Sequence, residues 1–156
     1  MKKIKAFFIS LLFSLSLISC SGETPSAHVL LSEFKSTVGA SGIVYSKEVC
    51  EGESGYIDGN FFVSLYGTEA DFESDFAVLL NSTLDTVYEA AVFVAFDKSS
   101  LYFAKDLCRG RLDFLSRMGY GEDSVIVMQG MTVFYSTLPD SEKVADIWKS
   151  VYRSLR

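Results

Sequence analysis

Histidine is nearly missing from this chain: His28 is the single one among 156 residues. That scarcity removes most zinc centres, because a site of imidazole and thiolate ligands would need His28 and the cysteines to converge. It also leaves any serine or cysteine nucleophile only one histidine as base. His28 reads more simply as a solvated residue in the first turn of a helix. No Gly-x-Ser-x-Gly elbow occurs, nor a glycine-rich phosphate loop ending in Lys-Ser or Lys-Thr, so the common routes to a hydrolase or a nucleotide binder are absent. Basic residues are also scarce, 14 against 20 acidic ones. Three of the 14 are Lys2, Lys3 and Lys5; residues 20–156 hold 11 bases against 20 acids, a formal charge of −9. Such an acidic body excludes nucleic acid as a partner, since phosphate binding requires clustered Lys and Arg. It equally lacks the basic surface for flat adsorption on anionic lipid.

What is present starts with an address. The three lysines precede an apolar run, Ala6 to Ile18, broken only by serines. This is the layout of a secretory signal peptide, too short and wrongly flanked for a spanning helix. The closing Leu17-Ile18-Ser19-Cys20 resembles the lipobox of bacterial lipoproteins. The resemblance implies that residues 1–19 are removed, that Cys20 is acylated, and that the chain is tethered to the cell membrane outside the cytoplasm. The multiple acyl chains of a lipoprotein hold without further membrane contact. Residues 20–26, with Gly22 and Pro25, then form a flexible lipidated tether.

Residues 27–156 suit one domain with a single core. Cys50 and Cys108 lie in a compartment where a disulfide can persist. A bridge between them would close a loop of nearly sixty residues, a constraint of roughly 4 kcal/mol on the unfolded chain. The alternative is two buried thiols, which behave as small hydrophobes.

Helical spacing of Leu30, Leu31, Phe34 and Val38 predicts a helix from Ser26 or Ala27 to Val38, stopped by Gly39. Residues 40–59 are glycine-rich and acidic, with at most a short strand around Ile43–Tyr45. Asp58 or Asn60 caps a short helix, Phe61 to Tyr66, ended by Gly67. Phe76–Leu80 and Tyr88–Phe96 read as strands, joined through the turn chemistry of Asn81, Ser82, Thr83 and Asp85. Runs so continuously apolar suggest cover by helices on at least one face. A helix from Asp97–Ser100 to about Met118 presents Leu101, Ala104, Cys108, Leu112 and Leu115 on one side. Gly110 within it costs about 1 kcal/mol relative to alanine, which suggests close packing there. Ser124–Gln129 and Met131–Thr137 form a hairpin turning at Gly130. A last helix follows Asp140 as N-cap, with a stripe of Val144, Ile147, Trp148, Val151 and Leu155. The expected fold is α+β: a four-stranded antiparallel sheet with helices on one face, a ββαββα core preceded by an N-terminal helix.

From about Phe61 onward the chain resembles a family of bacterial lipoproteins known as the domain of unknown function 4358. The landmarks are Leu65-Tyr66-Gly67 followed by acids, Glu89 heading Ala90-Ala91-Val92-Phe93-Val94, Arg111-Leu112 in the next helix, and Gly130 in an apolar hairpin ending near Asp140. The short link Gly119–Glu122 departs from the longer, tyrosine-bearing one of that family. The resemblance implies address and architecture, and carries no activity.

Carboxylates are the remaining chemistry. Asp71-x-Glu73-x-Asp75 opens like a calcium loop, but Phe76 stands where glycine is needed and Ser82 where glutamate is needed. Glu51, Glu53 and Asp58 form either a polar loop or an irregular cation or acid/base site. Glu89 and Arg111 are expected to form an ion pair registering helix against sheet, or else to face a ligand groove. Tyr56, Phe61, Phe62, Tyr66, Tyr120, Trp148 and Tyr152 would bind sugar only if several were exposed together. No catalytic residues, metal or cofactor are expected. The sequence thus points to a lipid-anchored, non-catalytic binding or interaction module of the cell envelope, its partner an envelope protein or small ligand. The partner surface expected is an uncovered sheet face or the glycine-rich 39–59 segment. The alternatives are a ligand- or ion-binding lipoprotein serving a membrane system, and a carboxylate-dependent envelope hydrolase.

Overall fold

A computed structural model describes residues 24–68, 75–82 and 87–156. Residues 1–19, Cys20, Asp71, Glu73, Thr83 and Asp85 lie outside the described residues. Among the described residues, four helices, α1 (Ala27–Val38), α2 (Gly59–Tyr66), α3 (Lys98–Arg117) and α4 (Ser141–Ser154), flank five strands, β1 (Ile43–Ser46), β2 (Asp75–Ser82), β3 (Val87–Val94), β4 (Val125–Gln129) and β5 (Thr132–Ser136). The strands form one open antiparallel sheet in the order β1-β2-β3-β5-β4. No described helix is long and apolar enough to cross a membrane.

The α+β class is as expected, but the sheet has five strands rather than four, and helices cover both faces rather than one. Alternation along the strands explains the two layers. Ala77, Leu79, Ala90, Val92 and Phe134 face α1 and α4, where Leu30, Leu31, Phe34, Trp148 and Val151 close a core. Phe76, Val78, Ala91, Phe93, Val133 and Tyr135 face the opposite way, towards α2 and α3 with Phe62, Leu101, Ala104 and Cys108. A strand buried on both sides needs apolar residues at successive positions, which is why these runs are continuous. On the first face Phe134 stacks on Trp148 at 4.4 Å, with Phe34 edge-on to Phe134 at 4.8 Å. Small Ala77 and Ala90 beside them are fully buried, leaving room for these rings.

The extra strand comes from the glycine-rich segment. β1 pairs with β2 from Ile43↔Leu80 to Ser46↔Ala77. Gly42, at φ +109°, approaches the Leu80 carbonyl so closely that a Cβ would lie 2.4 Å from its oxygen; at Gly55, at φ +100°, a Cβ would lie 2.5 Å from the Val44 oxygen. Only glycine permits both approaches. The segment is therefore the finish of one sheet edge.

Caps set the helix limits. Ser26 and Asp58 accept N–H bonds from Val29 and Phe61, and Gly39 and Gly67 close α1 and α2 at φ +67°. Asp97 and Ser100 make a reciprocal capping box for α3. Asp140 caps α4 in a left-handed conformation, φ 65°.

Candidate functional site

Glu89 and Arg111 meet beneath α2 and α3. Glu89 lies on the same face of β3 as Ala91 and Phe93 and is 4% exposed. Arg111 is reached from α3, one turn after Cys108. Its Nε donates to Glu89 Oε1 at 2.9 Å and a terminal nitrogen to Oε2 at 2.6 Å, while the other donates to the Leu65 carbonyl at 3.2 Å. Tyr135 donates its hydroxyl to Glu89 Oε1, and the Tyr66 hydroxyl lies 3.0 Å from that of Tyr135. One side chain each from α2, β3, α3 and β5, with the Leu65 carbonyl of α2, thus shares one polar network inside an apolar layer. The carboxylate accepts three hydrogen bonds, two on Oε1 and one on Oε2, and ties β3 to α3 and β5.

The surrounding groups respond as burial requires. Burial opposes the charge of Arg111, but the hydrogen bonds and negative charge of Glu89 prevail and hold the guanidinium above its ordinary value. Tyr66 and Tyr135 are both pushed well up, by burial first and by Glu89 second. Burial also pushes the Cys108 thiol up, with Glu89 adding to it. Fully buried, Cys108 packs as a small hydrophobe in this layer.

Above the network lies an open groove of about 450 Å³ between α2 and α3. Leu65 and Tyr66 form one wall; Phe103, Leu107 and Phe114 form the other, with Gly110 and Arg111 at its base. Phe103 and Phe114 are 41% and 46% exposed. The Arg111 guanidinium sits 5.4 Å from the centre of the Phe114 ring. Nothing lies within 4 Å of where a Gly110 Cβ would be, so the close packing expected at this glycine is not found: the residue opens the groove. The groove was not anticipated, although α3 carries its signal. Phe103, Leu107, Gly110 and Phe114 form a second stripe beside the buried Leu101, Ala104, Cys108 and Leu115.

Other candidates are placed apart. Cys50 is exposed and Cys108 buried, both as free thiols, so the structure contains no bridge between them. Cys108 points from α3 into the sheet while Cys50 lies in the turn beyond β1, which is why they do not meet. Glu51, Glu53 and Asp58 are exposed, and Asp58 is used as the α2 cap. Among the described residues no three His, Cys, Asp or Glu side chains are grouped to hold a metal ion. Asp75 accepts the Ala27 N–H at 2.5 Å, and burial raises its carboxyl. His28 is half-buried rather than solvated: its Nδ1 lies 2.9 Å from Ser46 Oγ, which also accepts the Glu48 N–H. Ser46 is fully buried, and this serine–histidine pair fastens α1 to β1. Trp148 and Tyr152 are buried on one face of the sheet, and Phe61, Phe62 and Tyr66 pack on the other. Tyr56 and Tyr120 are the exposed ones, at 36% and 40%. The seven aromatics therefore form no common stacking platform.

Comparisons with protein-family models, curated proteins and solved structures find no match to the chain.

Proposed function

We propose that this protein is a membrane-anchored extracytoplasmic lipoprotein, tethered through Cys20, that acts as a non-catalytic binding module of the cell envelope, and that its binding site is the α2–α3 groove. The groove, with two half-exposed phenylalanines over an open glycine base, is the observation that carries this reading. Its size is that of sites taking small apolar groups. An apolar or aromatic group seated between Phe103 and Phe114 would complete the burial of both rings, about 1 kcal/mol or more for each. Arg111 spends three of its five N–H donors on Glu89 and Leu65, and the other two can donate to a carbonyl or carboxylate of the occupant. With helices on both sheet faces, the groove replaces the uncovered face as the interaction surface. A tethered module gains effective concentration towards other envelope components, so modest affinity suffices. The landmarks shared with the domain of unknown function 4358 family belong to the same reading.

The test is photo-crosslinking in native cells from a crosslinker placed at position 103, alongside binding of anilinonaphthalene sulfonate to the purified chain. One dominant envelope protein, lost in Gly110→Leu, supports the interaction module. Dye binding lost in Gly110→Leu with no protein captured moves the assignment to a small-ligand lipoprotein. Dye and capture both indifferent to Gly110→Leu remove the groove as the site.

A further inference from the structure

The two edges of the sheet are finished differently. At β1 the Ser46 N–H donates to the Gly55 carbonyl at 2.9 Å, and Tyr56 bridges to Ser46, so the glycine-rich turn covers the edge. β4 ends the sheet on the other side, and among the described residues it pairs with β5 alone. Natural edge strands are guarded by charge, proline or bulges. The β4 sequence, Val-Ile-Val-Met-Gln, has neither charge nor proline, and its one-to-one register with β5 has no bulge. β5 is wholly buried, whereas β4 keeps partial exposure throughout and Met128 is 36% exposed.

The surface beside this edge carries a charge pattern. Lys105, Arg109 and Asp113 of α3 line a groove together with Ile126 and Met128 of β4. β3 and β4 each pair antiparallel with β5, so they run parallel to one another, and α3 is the crossover that joins them. A helix joining two parallel strands of one sheet runs back against both. Helix and strand therefore run antiparallel, with Asp113 towards the start of β4 and Lys105 towards Met128.

We propose that β4 pairs antiparallel with β4 of a second copy of this chain, about a two-fold axis perpendicular to the sheet, continuing the two sheets as one. That symmetry keeps both α3 helices on the same face and sets the start of one β4 beside the end of the other. Asp113 of each copy then faces Lys105 of the other, two reciprocal ion pairs, with Arg109 near the axis and held by its own Asp106 at 3.7 Å. A negative and a positive group at opposite ends of one edge are self-complementary under a two-fold, which selects a second copy over any other extended segment. Pairing also withdraws Ile126 and Met128 from water on the α3 side, and Val125 and Val127 on the α4 side. The site is separate from the α2–α3 groove and does not depend on its role.

Sedimentation equilibrium of the full chain in density-matched detergent tests the pairing, using the α3 variants Lys105→Glu, at a half-buried position, and Asp113→Lys, at an exposed one. The wild type is expected to dimerise. Each variant alone should self-associate roughly tenfold more weakly, since two opposite-charge contacts become like-charge ones. An equimolar mixture of the two should regain wild-type association, because both cross-pairs are again of opposite sign. A wild type that stays monomeric to about 1 mM, or a dimer indifferent to both substitutions, overturns the proposal.

Discussion

Arg111 holds Glu89 by two parallel hydrogen bonds, of 2.9 and 2.6 Å, with both side chains nearly excluded from water. A buried pair of this kind adds little net stability over an apolar pair, but breaking it strands a charge. Glu89→Gln and Arg111→Gln are each expected to destabilise the fold by about 3–5 kcal/mol, read as a shift in urea midpoint. The double replacement Glu89→Leu with Arg111→Met should lose less than the sum of the single losses. Two single variants with wild-type midpoints would show that the pair does not hold helix to sheet.

Glycine replacements should divide by what a Cβ would meet. Gly110→Ala fills open space on a helix and is expected to raise stability by about 1 kcal/mol. Gly42→Ala and Gly55→Ala set a methyl against the Leu80 and Val44 carbonyls, at positive φ, and should each destabilise. Thermal melts of the three variants are the check. An unchanged or lowered Tm in Gly110→Ala would mean that the groove is filled in the native protein.

Much of this was legible before the structure. Helix starts at Ser26 or Ala27, at Asp58 or Asn60, within Asp97–Ser100 and after Asp140 are signalled by local chemistry that needs no tertiary information, and the structure puts the caps at Ser26, Asp58, Asp97 and Asp140. Glu89 stood out as a charge at the head of an apolar strand, and Arg111 as a cation on the helix that packs above it. The sheet count was not legible, because β1 is four residues long and its place depends on Gly42 and Gly55 meeting carbonyls distant in sequence. The second helical layer was hidden for a related reason: a continuous apolar run states that a strand is buried, not which helix lies on which side. The groove depends on α2 and α3 lying side by side, which no spacing within either helix reveals.

The phenols predict an alkaline limit. Tyr66 and Tyr135 titrate above their ordinary value of 10.0 when folded, so between that value and their raised one the unfolded chain binds fewer protons. Stability from these groups is complete below pH 10 and falls as pH rises beyond it. Tyr66→Phe should flatten that fall, measured as Tm from pH 8 to 11. An identical slope in the variant would assign the alkaline loss to other groups.

The cysteines predict a two-step reaction with Ellman's reagent. Cys50 should react in the native protein, and Cys108 only after denaturant is added, since it is fully buried with its thiol held protonated. Absence of both thiols in the unfolded, unreduced protein would establish a bridge.

The fastening of α1 has a mechanical consequence. Asp75 at the start of β2 holds the Ala27 N–H, and Ser46 at the end of β1 holds His28. Traction arriving along the chain through Ser26 therefore enters the domain at two adjacent strands. These strands are hydrogen-bonded side by side, so the load is spread over the β1–β2 ladder rather than peeling one helix from the surface. A pull at the N-terminus would thus load the face of the sheet opposite the groove.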